Sequence, residues 1–172
     1  MTRNISLQEL KELYYRDFPL WVEVNLELLK EKAYEAVDWE NLLEEIEDMG
    51  QRHLDSGISY LAVILEHLYK WDHFRSLAAG KQGVPVERVG YSWIKSVENA
   101  RGRIELLFKR YPSLRQKLPM ELNKAWDEAV VNLKEWLRDN DLEPESFHIP
   151  EKCPYTYEET MSRDLRKELE NA

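Results

Sequence analysis

Residues 58–71 read ISYLAVILEHLYKW. Wound as a helix, this stretch turns an apolar side chain in almost every direction. Ile58, Leu61, Ala62, Val63, Ile64, Leu65, Leu68 and Tyr69 are spread around the axis rather than gathered on one stripe. A helix that is apolar on every side belongs in the middle of a fold. The run is far shorter than the roughly 20 apolar residues a membrane span requires, so the centre it implies is that of a soluble, all-α protein.

Working upstream, the same periodicity extends back to Asp38. At about 100° per residue, Leu42, Ile46, Met49, His53, Tyr60, Ile64, His67 and Trp71 share one face. Glu40, Glu44, Glu47 and Asp48 occupy the opposite side of the first turns. Gly50 and Gly57 lie seven apart on the apolar face and mark either a close helix crossing or a bend. Further upstream, Ser6 followed by Glu9 is a capping box. Leu7, Leu10, Leu13 and Tyr14 then recur at helical spacing. Asp17 before Phe18-Pro19 predicts a break and restart, since proline costs nothing in a first turn and Asp17 can cap it.

Downstream, residues 77–90 contain Gly80, Gly83, Pro85 and Gly90 and read as a loop. A further helix is predicted from about Tyr91 to Arg110, with Trp93, Ile94, Val97, Ala100, Ile104, Leu107 and Phe108 inward. Tyr111-Pro112 ends it, and Ser113 with Gln116 reads as another capping box. Leu118, Leu122, Ala125, Trp126, Ala129, Val130, Leu133, Trp136 and Leu137 form the next stripe. Pro144, Pro150 and Pro154 then exclude a long helix, so from Asp139 the chain reads as a strap anchored by Phe147, Ile149, Tyr155 and Tyr157. Thr156 with Glu159 caps a short terminal helix, and 166–172 is expected to fray. Four amphipathic segments on short connections predict an antiparallel helical bundle of about four main helices. It would be one domain, 1–172, with its core at about 6–138 and the strap and short helix at about 139–166.

The bulk composition narrows the function classes. With 172 residues the chain is long enough for a full hydrophobic core. Cys153 is the only cysteine, which rules out an intrachain disulfide and a four-cysteine zinc site. The first twelve residues are polar and lack the apolar segment of a secretory signal, so the expected location is cytoplasmic, with no membrane partner. Net charge is −9, unevenly spread. Residues 1–50 hold 5 basic and 13 acidic residues, 51–120 hold 12 and 6, and 121–172 hold 7 and 14. An acidic chain with a basic middle describes either complementary faces of a bundle or a patch for an anionic partner.

Several stretches, taken in order, carry a resemblance. They are LYYRDFPLW at 13–21, WENLLEEIEDMG at 39–50, HLYKW at 67–71, Ser92-Trp93, YPSLR at 111–115 and CPYT at 153–156. Together they resemble the bacterial family catalogued as domain of unknown function twenty-nine, over about residues 10–161. The acidic segment ENLLEEIEDMG is the most specific of them. The resemblance implies an all-helical fold and brings no activity, ligand or catalytic residue with it. The segment 77–90 is longer than the resemblance implies.

Three constellations remain as functional candidates. Glu40, Glu44, Glu47 and Asp48 form a carboxylate stripe that is a solvated face, a docking surface or, less simply, a cation site. One straight helix does not supply the converging oxygens that hard cations require. His53 and His67 are the weak metal candidates, and at a rise of about 1.5 Å per residue they lie roughly 20 Å apart, too far to share an ion. A core histidine hydrogen-bonded to a carboxylate is the simpler reading of each. Lys95, Arg103, Lys109 and Arg110 project from the basic helix opposite its apolar stripe, and a nucleic acid would need such a face. Glu98 and Glu105 interrupt it. No phosphate loop, nucleophile elbow or metalloprotease motif is present in the sequence, and no cofactor is implied. The sequence therefore leads to a non-enzymatic protein-interaction module or small accessory protein, docking a protein partner or a second copy. The alternatives are nucleic-acid association through the basic helix, and a metal-dependent helical-bundle enzyme built on His53 or His67.

Overall fold

The computed structural model describes residues 5–172, and the chain resolves into two compact units, Met1–Arg52 and His53–Ala172. Among the described residues there is no strand, and no helix is long and apolar enough to cross a membrane.

In the first unit the Ser6 and Glu9 capping box opens α1 (Leu7–Arg16). Asp17 ends it and starts α2 (Phe18–Lys30) by accepting the Leu20 N–H at 3.2 Å, with Pro19 in the first turn. The core consists of Leu10, Leu13, Trp21, Val24, Leu28 and Val37. Its polar centre is Asp38, fully buried at the start of the long helix α3 (Trp39–His73). The Trp21 indole donates to Asp38 Oδ2 at 2.9 Å and the Asn41 amide donates to the same oxygen at 2.7 Å. The Asp38 N–H in turn donates to Asn25 Oδ1 at 3.0 Å, and Asn25 donates to the Trp21 carbonyl at 2.8 Å. A buried carboxylate is tolerable because its oxygens are met by donors from two helices.

The second unit takes the rest of α3, then α4 (Arg75–Gln82), α5 (Val86–Arg110), α6 (Leu114–Lys117), α7 (Leu122–Asp139), α8 (Tyr157–Ser162) and α9 (Leu165–Glu170). His53 stacks on Tyr111 at the end of α5, while Trp71 meets Gly90 near its start, so α3 and α5 run antiparallel. Trp126 packs on Tyr69, and Trp136 reaches Phe74 and Trp93, which places α7 against both. Ile58, Leu61, Ala62, Ile64, Leu65 and Leu68 are all buried, in agreement with the central position read for 58–71.

Phe147, Ile149, Cys153, Tyr155 and Tyr157 pack against this core, so the strap lies where its anchors predicted. Trp126 donates to the Pro150 carbonyl at 3.0 Å, and Tyr69 donates to that of His148 at 3.2 Å. Asp72 then pins the end of the strap. It accepts Tyr155 Oη at 2.7 Å and both terminal nitrogens of Arg163 at 2.8 and 2.6 Å. Burial is the largest influence on the Asp72 carboxyl and pushes its pKa up. The hydrogen bonds from Arg163 and Tyr155, with the charge of Arg163, outweigh it and hold the group below the usual carboxylate range. Arg101 secures α8 by donating to the carbonyls of Thr160 and Arg163.

Four local expectations are corrected. Residues 77–90 are not a loop: α4 continues to Gln82, α5 begins at Val86, and only Gly83, at φ +63°, makes the turn between them. Gly90 lies inside α5, where a Cβ would come within 2.8 Å of the Trp71 ring, so its role is close approach rather than chain reversal. Ser113 makes no capping bond because its backbone is already helical (φ −62°, ψ −23°), which turns the hydroxyl away from the N–H groups ahead. Residues 165–170 form a helix, α9, where a loose end was expected, because Asp164 caps it and Leu165 is buried. Of the two glycines read on the α3 face, Gly57 lies under the Leu118 side chain, and Gly50 has open space beside it.

These contacts set two opposite glycine outcomes. Gly90→Leu is expected to lower stability by about 1–3 kcal/mol through overpacking against Trp71. Gly80→Ala, at an exposed helical position with no neighbour within 4 Å, is expected to raise it by about 0.5–1 kcal/mol. Urea unfolding of the two variants beside the parent measures both.

Candidate functional site

Three places in the structure gather chemistry, two of which the sequence had pointed to. The first is the start of α3. Glu40, Glu44, Glu47 and Asp48 are all exposed. Glu40 is joined to Lys11 at 2.6 Å, and Glu45, beside the stripe, accepts Tyr14 Oη at 2.6 Å. That bond, more than burial, pushes the Tyr14 hydroxyl pKa up. Ile46 and Met49, expected inward, are instead 52% and 61% exposed, together with Leu43 and Trp39. The reason is local. The core of this unit is closed by Val37, Asp38 and Asn41, and the side of α3 that carries Trp39, Leu43 and Ile46 lies a quarter-turn away from them. Trp39 is held there by donating to the Tyr34 carbonyl at 2.8 Å. On α2, Phe18, Val22 and Leu26 recur every fourth residue and are exposed as well.

The second place is buried. Lys70, 4% exposed, lies within α3 in the second unit. Its ammonium donates to Glu66 Oε1 at 2.5 Å, one helical turn back, and lies 4.9 Å from the centre of the Trp136 ring and 6.0 Å from that of Trp93. One carboxylate and two indole faces thus replace the water a lysine would otherwise keep. His67 lies between the two. Its Nδ1 is 2.7 Å from the Val63 carbonyl, which only accepts, so Nδ1 carries the proton. The partner is a carbonyl rather than the carboxylate expected from the sequence. Burial, then the charge of Lys70, lower the His67 pKa, and the ring stays neutral at physiological pH. His53 is elsewhere, stacked on Tyr111 at 4.0 Å. Among the described residues no three His, Cys, Asp or Glu side chains gather into a group able to hold a metal ion.

The third place is α5. Its basic residues do not form one face with one fate. Arg101 is committed to the α8 carbonyls, Lys95 lies over Tyr91, and Glu98 is taken up by Arg166. Arg103, Lys109 and Arg110 remain together, lining one cavity with Tyr60, Leu106 and Leu107.

The model of the family described as "domain of unknown function DUF29" matches residues 13–165. The chain belongs to this family. No curated protein and no solved structure matches it. The DUF29 match spans all three places, from Trp39 and the acidic stripe through the buried lysine to the α5 cavity. The buried pair was missed in the sequence, although its signal was there. Glu66 and Lys70 are the only charged residues within the apolar run 58–71, four apart, and each therefore needs the other.

Two outcomes follow from the buried cluster. Lys70→Ala leaves Glu66 without its partner and is expected to cost about 3 kcal/mol, whereas Glu66→Leu with Lys70→Met is expected to stay within about 1 kcal/mol of the parent. Thermal and urea unfolding of both variants compare them. The lowered His67 pKa also fixes a sign. Below the ordinary histidine range near 6.5 the unfolded chain takes up a proton that the folded chain resists, so stability falls as pH drops from about 7 to 5. His67→Gln is expected to flatten that part of the stability–pH curve.

Proposed function

We propose that this protein is an interaction module whose first unit docks an amphipathic helix of a partner protein, apolar on one side and edged with lysine or arginine. The observation that carries the reading is where the exposed apolar side chains lie. Among the described residues, ten of the fourteen large exposed ones fall within residues 7–49 and four in the much longer remainder. Scattered single exposures are ordinary on a protein surface, whereas concentration of this kind marks a binding face.

The chemistry of the partner follows from what borders that face. Trp39, Leu43 and Ile46 recur at intervals of four and three along α3, the spacing of anchor points for a second helix. Glu44, Glu47 and Asp48 run beside them and favour a basic edge on whatever docks. The apolar stripe supplies most of the affinity, while the carboxylates steer approach and set orientation.

Titration calorimetry with a synthetic amphipathic helix bearing a Lys/Arg edge, against a charge-reversed control peptide, tests the reading. Binding of the basic peptide in the micromolar range is expected, weakening with added salt. Ile46→Glu is expected to abolish it. Glu44→Lys with Glu47→Lys is expected to weaken the basic peptide roughly tenfold and to let the acidic control bind. Equal binding of both peptides to the parent, or no change with Ile46→Glu, overturns the reading.

A further inference from the structure

Arg103, Leu106, Leu107 and Arg110 follow one another at intervals of three, one and three, the repeat of a single helix face. With Lys109 and with Tyr60 from α3 they line an open cavity of about 480 Å³ within the second unit. Three cations thus converge on one depression, and no carboxylate lines it.

Four basic residues elsewhere in this unit are paired with carboxylates. Arg163 holds Asp72 and Glu168, Arg166 holds Glu98, Lys70 holds Glu66, and Arg115 lies 3.7 Å from Glu105. Arg103, Lys109 and Arg110 make no ion pair among the described residues, and the Tyr60 hydroxyl makes no hydrogen bond there. The dipole of α5 accounts for part of this arrangement, since cations are favoured in the last helical turn. Lys109 and Arg110 occupy that turn, but Arg103 is two turns back, beyond the reach of the effect. Like charges gathered around one depression repel one another, a cost that a bound anion would reverse.

We propose that this cavity binds a small organic anion carrying adjacent phosphate groups on a flat body, of the nucleoside diphosphate class. Two guanidinium groups and one ammonium match the roughly three negative charges of a diphosphate. The planar guanidinium fork is the side chain that meets phosphate oxygens two at a time. Tyr60, Leu106 and Leu107 provide the aromatic and apolar wall against which a base would lie. The cavity volume falls within the range typical of small-ligand sites. This site is independent of the helix-docking face on the first unit.

Titration calorimetry of the full chain at low salt with ADP, AMP, inorganic pyrophosphate and a single-stranded oligonucleotide tests the assignment. ADP is expected to bind measurably, with AMP and pyrophosphate each several-fold weaker. Arg103→Gln with Arg110→Gln is expected to weaken ADP by at least roughly tenfold, with an unchanged melting temperature in the absence of ligand. Tyr60→Leu is expected to weaken ADP and leave pyrophosphate unaffected. No heat from ADP at millimolar concentration overturns the proposal, as does ADP affinity that survives the double arginine variant. Tight oligonucleotide binding that ADP does not displace assigns the groove to a nucleic-acid backbone and overturns it equally.

Discussion

The constraint on which the second unit depends is that residues 58–71 of α3 are covered on nearly every side. A helix of this kind has no solvent face with which to stabilise itself, so each flank must be met by another element. Antiparallel α5 meets one flank, α7 another, and the proline-rich strap closes part of what remains. Complete burial of a leucine or isoleucine contributes about 1.5–3 kcal/mol, and Leu61, Ile64, Leu65 and Leu68 are each fully buried. The same enclosure explains the treatment of the polar members of the run. Lys70 is accommodated by Glu66 and two indoles, and His67 is held neutral by burial and by the neighbouring ammonium.

The first unit solves a smaller problem by different means. Its apolar core is short, and a polar hub stands at its centre: Asp38 accepts from Trp21 and Asn41 and donates its N–H to Asn25. Such a hub fixes the geometry of α2 against the start of α3 more tightly than apolar contact alone, because each donor has one acceptable position. The consequence is an apolar surplus. With the core closed around Trp21 and Val37, the sides of α2 and α3 that carry Phe18, Val22, Leu26, Trp39, Leu43 and Ile46 remain exposed. That surplus distinguishes this unit from the second and motivates its reading as a docking face.

Much of this was legible along the chain. The all-α class, the Asp17 break, the two capping boxes at Ser6 and Thr156, and the anchoring of the strap by Phe147, Ile149, Tyr155 and Tyr157 all rest on local rules, and the structure agrees with each. Where local rules were misleading, a tertiary contact intervened. Three glycines and a proline at 80–90 describe a loop by composition, yet Gly90 is a helical residue chosen for its lack of a side chain beneath Trp71. Ser113 has the right neighbour for a capping box but the wrong backbone for one. At the candidate sites, the exposure of the acidic stripe was legible. The gathering of Arg103, Lys109 and Arg110 with Tyr60 was not, since Tyr60 comes from a different helix.

By itself the sequence determined the all-α class, most of the helical segments and which run must be central. Hydrophobic periodicity and capping chemistry act over three or four residues and need no knowledge of the rest of the chain. Membership of the DUF29 family was likewise legible in its ordered motifs. Only the tertiary structure decided which apolar stripe would be covered and which left open, and which cations would be neutralised and which left free. Ile46 and Ile64 sit on the same face of one helix and look alike in sequence, yet one is exposed and the other fully buried. The difference lies in what packs opposite them, and packing partners are brought together by the fold rather than by proximity in the chain.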